Sequence, residues 1–305
     1  MTSTRRTGLL LALTTAAISG VAVFLNGFGV RAFGDATAYT TAKNLVAALV
    51  LLAAVGLGSR AGARLTRPTS RRQWAGLAVV AVVGGSVPFV LFFEGLARAS
   101  SAQSAVIHKT LLVWVALLAV PLLGERLTAW HGLAVLLLVV AQVGLVGGVP
   151  RALASGELMI LGATLLWAVE VVLAKRLLAG LSSWTLGVAR MAGGSVVLVG
   201  WSATQGHLAG LGAVDATGWG WVLLTGVILA GYVATWFAAL ARAQAVDVTA
   251  VLVLAAPITA LLAAVVDGAP LAPQAVWLLM LVAGAALVAR QMWVRPALPA
   301  VAAAT

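Results

Sequence analysis

Five ionisable side chains lie inside long apolar stretches of the sequence: Lys43, Glu94, Lys109, Glu170 and Arg190. A charged side chain costs about 2.5–3.5 kcal/mol at the centre of a bilayer, so such groups usually face a cavity or pair with one another. Signals for other chemistry are missing: the sequence has no cysteine, three scattered histidines, and no glycine-rich nucleotide loop. The pattern therefore predicts a polar centre within a membrane, with no metal, no cofactor and no enzymatic activity.

The composition indicates that lipid surrounds most of the chain. Of 305 residues, 62% are hydrophobic and only 9% are charged, whereas about a quarter are charged in soluble domains. The net charge of +11 does not indicate a nucleic-acid partner, because the basic residues lie in short loops rather than on one face among aromatic residues. Since a spanning helix needs about 20 apolar residues, the sequence predicts an all-α membrane protein with ten spans, at roughly 9–30, 36–58, 74–96, 102–123, 130–148, 157–178, 184–203, 218–240, 246–266 and 273–292.

The positions of lysine and arginine predict how these spans are oriented. With the N-terminus in the cytoplasm, thirteen of the nineteen basic residues fall in inside segments, three in outside loops and three within spans. This bias predicts a multi-pass protein of the cell (inner or plasma) membrane with both termini cytoplasmic. The start of the chain also resembles a signal peptide, but its long apolar run and the spans that follow favour a retained first helix.

An internal repeat divides the sequence into two halves. The segment 92–99 (FFEGLARA) recurs at 236–243 (WFAALARA), a shift of 144 positions. Each half has five spans, an odd number, so the second half must enter the membrane from the opposite side. The predicted organisation is a cytoplasmic N-terminus (1–8), a first repeat (9–148), an extracytoplasmic connection (149–156), a second, inverted repeat (157–292) and a cytoplasmic tail (293–305).

Ten spans in two five-helix halves resemble the drug/metabolite transporter superfamily of the EamA type. The segment Pro121–Leu127 (PLLGERL), between predicted spans four and five, strengthens the resemblance, although its second-half counterpart at 266–271 lacks the glutamate. The resemblance implies a permease whose central cavity is lined by helices of both halves and whose fifth helices are more peripheral. It implies no particular substrate, and it favours export by analogy alone.

Depth in the membrane separates the candidate site residues into two groups. Glu170 lies about eight residues (~12 Å) and Arg190 about six residues (~9 Å) from the inner surface, which predicts an ion pair between neighbouring helices. Asn26 occupies the equivalent of the Glu170 position in the first half, and Lys43 that of Arg190. Glu170 is a candidate for proton coupling, since burial favours its neutral form; a static tie between helices is the alternative.

The outer group contains two cations against one carboxylate. Lys43 and Lys109 each lie about seven residues (~10 Å) below the outer surface, with Glu94 and Asn26 shallower. An unpaired ammonium near a cavity attracts a carboxylate or phosphate, so we expect these lysines, with His108, to bind an anionic or zwitterionic metabolite. The alternative is that the lysine stems extend to the headgroups.

Aromatic residues at helical spacing predict a wall beside these charges. Trp167 lies three residues before Glu170, and Tyr232 lies four before Trp236, so each pair shares a helix face. Such a face either stacks an organic substrate, including a cation, or fills space between helices.

Glycine and proline predict where helices bend and where they approach closely. The pair Gly84-Gly85 with Pro88 interrupts span three, and Pro257 interrupts span nine, which frees backbone groups. Gly144 and Gly148 permit close helix contact and suggest a possible homodimer.

Together these patterns predict a secondary-active transporter that works by alternating access. We expect it to move a small polar metabolite such as an amino acid or related zwitterion, with export favoured over import and protons as the candidate coupling ion. The deep aromatic residues leave efflux of hydrophobic organic cations as an alternative. A non-transporting membrane scaffold or lipid-handling protein is a third, but a scaffold has no reason to keep five intramembrane charges unless all are paired.

Overall fold

The computed structural model describes residues 3–58, 62–96, 98–99, 107–145 and 154–294. Throughout these residues the regular structure is helical, which confirms the predicted all-α class. Eight helices are long and apolar enough to cross a membrane, and two shorter apolar helices, Ile107–Leu123 and Ala129–Leu145, coincide with the fourth and fifth predicted spans. Parts of the predicted connection (149–153) and tail (295–305), and Gly148, lie outside the described residues.

The helices follow one another with short connections. Their bounds are α1 Ser3–Phe33, α2 Ala36–Gly58, α3 Arg71–Val83, α4 Val87–Leu96, α5 Leu111–Leu123, α6 Ala129–Leu145, α7 Ser155–Leu177, α8 Ser183–Val188, α9 Gly194–Thr204, α10 Ala216–Leu240, α11 Ala245–Leu252, α12 Ala255–Asp267 and α13 Ala275–Val294. One π-helical turn, Ala189–Gly193, joins α8 to α9.

Contacts between helix termini define two ends of the bundle. At the first end, Arg6 near the start of α1 lies over the ring of Trp293 near the end of α13, with 4.6 Å from guanidinium carbon to ring centre. At the second end, Asp35 between α1 and α2 contacts His207, which follows α9. These contacts give the direction of α1, which starts at the first end and finishes at the second. They also place the end of α13 at the first end and the end of α9 at the second.

Helices from the two halves of the chain pack against each other throughout the interior. The first helix, α1, packs along α10, while α7 packs along α3 and α4; α2 lies against both α9 and α10. The pair α6 and α13 lies side by side, and Gly144 of α6 faces the ring of Trp277 in α13. Gly144 therefore serves a contact within this chain.

Both predicted interruptions are present. Pro88 lacks an N–H, so the carbonyl of Gly84 has no helical donor four residues on; the indole Nε1–H of Trp167 donates to that carbonyl at 3.2 Å instead, across the break between α3 and α4. Pro257 likewise leaves the carbonyl of Val253 without its usual donor, and the N–H of Ala256 donates to it at 3.0 Å. The two breaks thus keep their freed carbonyl groups hydrogen-bonded.

The break in α3–α4 lies directly against the π-helical turn. A Cβ added at Gly85 would overlap the backbone carbonyl of Arg190, and one added at Gly194 would overlap the backbone of Gly85. Only glycine allows the two backbones to approach so closely. This contact holds Arg190 at the interface between the two halves.

Candidate functional site

The first charged pair of the interior joins α7 to the π-helical turn. Arg190 Nε lies 2.7 Å from Glu170 Oε1, and the two side chains are 7% and 3% exposed. The contact does not have hydrogen-bond geometry, and Arg190 Nη1 is buried without a hydrogen-bond partner. The predicted Glu170–Arg190 ion pair is therefore present, and it leaves part of the guanidinium available to a further acceptor.

The second pair joins α1 to α2. Lys43 Nζ donates to Asn26 Oδ1 at 3.0 Å, and the hydroxyl of Tyr39 donates to the same oxygen at 3.1 Å. Tyr39 in turn hydrogen-bonds Thr225 of α10 at 2.7 Å. The amide oxygen carries no full charge, so Lys43 has no carboxylate partner in this contact.

Aromatic rings fill the space between the two pairs. Lys43 Nζ lies 5.5 Å from the centre of the Phe93 ring, and Arg190 Cζ lies 5.7 Å from that of Phe89. Phe92 contacts both Phe93 and Trp167, at centroid distances of 5.6 Å each, and Trp167 meets Phe89 at 5.5 Å. The rings form a continuous path from one cation to the other, and both cations lie over aromatic faces.

A second aromatic face lies on α10. Tyr232 and Trp236 stack at 6.1 Å with their planes 9° apart, as their spacing of four residues predicted. Tyr232 lies close enough to Arg190 and Glu170 to interact with both charges. Trp236 is buried, with 4% of its surface exposed. The two rings therefore form one stacked face on α10, and Tyr232 is the member that interacts electrostatically with the first charged pair.

Two residues of the predicted outer group lie elsewhere. Glu94 forms an ion pair with Arg98 at 2.6 Å near the end of α4, with the two side chains 26% and 49% exposed. Lys109 lines a small crevice with Gln142 and Val253, between α5, α6 and the break before α12. Neither contact involves Lys43 or Asn26, so the structure assigns Glu94 and Lys109 to separate surroundings.

His108 belongs to the aromatic cluster rather than to the lysines. Its ring lies 5.1 Å from Phe92 and 5.0 Å from Trp167, centre to centre. Its Nδ1 atom is buried without a hydrogen-bond partner. The imidazole therefore places a polar nitrogen among the aromatic rings of Phe92 and Trp167.

Four aromatic contributors to this centre were not among the sequence candidates: Tyr39, Phe89, Phe92 and Phe93. Tyr39 precedes Lys43 by four residues, so the same spacing rule that selected Tyr232 and Trp236 would have found it. Phe89 and Phe93 follow Pro88 on a short helix whose rotation depends on the break, and no local pattern fixes that rotation.

The centre therefore combines two cations, one carboxylate and a lining of aromatic rings. Ion pairing by Glu170 offsets one cation, which leaves a net charge of about +1 among these groups. A site of this kind attracts a carboxylate or phosphate through Lys43 and Arg190, holds an ammonium beside Glu170, and stacks an apolar side chain on its rings. Among the described residues, no group of three or more His, Cys, Asp or Glu side chains is placed to hold a metal ion.

Helical spans that enclose such a polar centre define a multi-pass membrane transporter. The family model of the EamA-like transporter family matches residues 6–147 and again 154–290. The chain belongs to the EamA-like transporter family, whose members are transporters rather than enzymes.

One solved structure, described only as "Crystal structure of protein", is similar over 94% of this chain and 97% of its own, with a TM-score of 0.72 and 17% sequence identity. At that identity the likeness supports the fold alone. The comparison with curated proteins finds no match.

Proposed function

We propose that this transporter is secondary-active and works by alternating access between two inverted five-helix repeats, residues 9–148 and 157–292. Helix direction supports the inversion: α1 begins at the first end, where Gly8 contacts Arg242 just past α10, and Lys175 near the end of α7 reaches the same turn. The first helix of each repeat therefore crosses the bundle in the opposite sense.

Two further correspondences support the repeat. Gly124 and Gly268, separated by 144 positions, end α5 and α12 with nearly equal left-handed backbone angles, φ 66° and ψ 25° against φ 68° and ψ 20°. The two polar pairs correspond as well: Asn26 and Glu170 are separated by 144 positions, and their partners Lys43 and Arg190 by 147. Each pair ties the first helix of its repeat to the second.

The substrate that this centre fits best is a small zwitterion such as an amino acid. The observation that carries this proposal is the excess of cations. The centre contains two basic side chains, Lys43 and Arg190, and one carboxylate, Glu170, and Arg190 Nη1 has no hydrogen-bond partner. A substrate carboxylate would bind the cations, while its ammonium group would sit beside Glu170 or an aromatic ring.

Efflux of hydrophobic organic cations is the second candidate. The ring path from Phe93 to Phe89 and the stacked pair of Tyr232 and Trp236 favour it, because aromatic faces bind cations. The same centre, however, already holds Lys43 and Arg190 over aromatic rings. A second cation would meet their repulsion, so the zwitterion is the better fit.

We also propose that the first end faces the cytoplasm, that both termini lie there, and that the protein exports its substrate from the cell. The basic loops support the orientation, and export rests on family analogy. Glu170 is the coupling candidate: if it exchanges a proton, transport by wild type responds to a pH gradient and transport by Glu170→Gln does not.

Lys109 is proposed as a second anion contact, apart from the centre. Lys109→Ala at normal expression would test it. Unchanged transport by that variant would remove Lys109 from the substrate path.

The experiment for the main proposal is uptake into proteoliposomes with a mixture of labelled amino acids. At equal amounts of folded protein in the vesicles, we expect Arg190→Gln to reduce uptake at least tenfold, since it removes the anion contact. Arg98→Gln is the matched control, because Arg98 is also an arginine paired with a glutamate but lies at the surface. Equal activity of the two variants would refute a substrate-binding role for Arg190.

A further inference from the structure

A second cluster of ionisable groups, apart from the polar centre, lies at the first end of the bundle. It consists of Glu125, His131, Lys175 and Asp247, hereafter the junction cluster. Its members surround the turn that connects α10 to α11. Glu125 is the glutamate of the PLLGERL segment, and it takes no part in the polar centre.

Glu125 binds the start of α11 from the other half of the chain. Its two carboxylate oxygens accept hydrogen bonds from the backbone N–H groups of Ala245 and Val246, at 2.5 and 3.1 Å. A carboxylate at a helix N-terminus satisfies free N–H groups and complements the helix dipole. Burial raises the pKa of Glu125, although these two N–H groups and the charge of Lys175 oppose the shift. The two hydrogen bonds thus hold the buried carboxyl group of Glu125 at the start of α11.

Lys175 binds the other side of the same turn. Its ammonium donates to the carbonyl oxygens of Leu240 and Ala243, at 2.5 and 2.6 Å. A cation at a helix C-terminus complements the negative end of the dipole. The turn between α10 and α11 is therefore held from both sides, by an anion on its donors and by a cation on its acceptors.

His131 adds a second contact between the halves. Its Nε2 lies 2.9 Å from Asp247 Oδ1, and its Nδ1 lies 2.7 Å from the hydroxyl of Thr128. Both His131 and Asp247 are 1% exposed. Glu125, in the α5–α6 connection, and His131, at the start of α6, thus fasten the first half to α11 of the second.

We propose that the junction cluster is the gate that closes the first end of the bundle, and that Glu125 is the positioning residue that holds the α10–α11 turn in the closed arrangement. This inference rests on the proposed alternating-access function, because only a transporter that opens at both ends needs such a contact to break. Opening requires the halves to separate here, which exchanges the contacts of Glu125 and His131 with α11 for water. Lys175 holds the turn from within the second half, in the position that Glu125 binds.

The natural absence of cysteine allows a direct test. A single cysteine at Tyr232, beside the polar centre, is labelled with a membrane-impermeant maleimide applied to one face at a time, in cells and in inverted vesicles. We expect Glu125→Ala to raise the labelling rate from the first end roughly tenfold, and Lys175→Met to raise it as well. Glu125→Gln, which keeps one acceptor oxygen, should give a smaller increase.

Glu157→Ala is the matched control. Glu157 is also a buried carboxylate that accepts a backbone N–H at a helix start, but its partner Ala154 belongs to the same helix end. Labelling that stays equal in wild type, Glu125→Ala, Lys175→Met and Glu157→Ala would overturn the gate. If the cysteine remained unlabelled from both faces in every variant, the proposed alternating access itself would fail. The experiment therefore distinguishes a wrong gate from a wrong transport mechanism.

Discussion

At the residue scale, the polar centre depends on pairs whose members cannot be removed singly without cost. Glu170 and Arg190 are both almost fully buried, so each one neutralises a charge that the surrounding helices could not solvate. Lys43 and Asn26 form the milder pair, in which one partner is neutral.

Removing one member of the ion pair should destabilise the protein far more than removing both. We expect Arg190→Gln to lower the free energy of unfolding by about 3–5 kcal/mol, because it leaves Glu170 buried without a counter-charge. The double variant Arg190→Gln with Glu170→Gln should recover much of that loss. Thermal unfolding in detergent of the wild type, both single variants and the double variant measures the coupling. Additive losses would show that the two side chains do not stabilise each other.

The link at the second end should depend on pH. Burial opposes ionisation of Asp35, but the N–H groups of Ala38 and Thr37 and the side chain of His207 outweigh it and lower its pKa below 3.8. A lowered pKa in the folded state means that the stabilisation is present above about pH 4 and is lost as the pH falls through the lowered value.

Asp35→Asn keeps the helix cap but removes the charge. The stability difference between wild type and Asp35→Asn should therefore be present at pH 6 and shrink below pH 4, as measured by unfolding in detergent. A difference that does not change with pH would contradict this account.

At the element scale, one interrupted helix and one π-helical turn bring Arg190 and Glu170 together. The break between α3 and α4 is stabilised by Trp167, and its glycine backbone lets the π-helical turn of Arg190 approach. The position of the guanidinium thus depends on backbone contact as well as on its own ion pair.

Gly85→Ala should therefore be severely destabilising, since the new methyl group would overlap the carbonyl of Arg190. Gly200→Ala in α9 is the control, because a Cβ at that position meets no other atom. In a helix interior this control substitution should be neutral or stabilising by up to about 1 kcal/mol. Fluorescence-detected gel filtration after heating compares the two variants. Equal survival would show that the close approach is not required.

Much of this architecture follows from the sequence. Apolar run lengths predict the spans, Pro88 and Pro257 predict the breaks, and helix depth predicts the Glu170–Arg190 pair. The environment of Lys109 does not follow, because depth along a helix says nothing about rotation around it. The ion pair of Glu94 with Arg98 could have been predicted, because the two residues are four positions apart on one helix face. The π-helical turn, which rotates Arg190 toward Glu170, has no local sequence signal.

At the scale of the whole molecule, the two polar ends differ. The first end is closed by the buried junction cluster, with His131 and Asp247 each 1% exposed, whereas at the second end the Asp35 and His207 side chains are 40% and 28% exposed. The unequal burial of these two contacts supports the proposed alternating access, in which one end is closed while the other opens.

Orientation in the membrane is testable with single cysteines. Arg67 and Thr217 are both exposed, the first before α3 and the second at the start of α10. On intact cells we expect Thr217→Cys to react with an impermeant maleimide and Arg67→Cys to react only after permeabilisation. The reverse pattern would place the first end outside, contrary to the proposed topology.

The central claim, that a net positive polar centre selects a zwitterion, is tested most directly by ligand binding to the purified protein. An amino acid, the amine that lacks its carboxylate and the acid that lacks its ammonium group are compared by thermal shift or calorimetry, with wild type and Arg190→Gln. The account predicts that the amino acid binds most tightly, that the acid binds more tightly than the amine, and that Arg190→Gln abolishes the advantage of the carboxylate. An amine that binds as well as the amino acid, in both proteins, would contradict it.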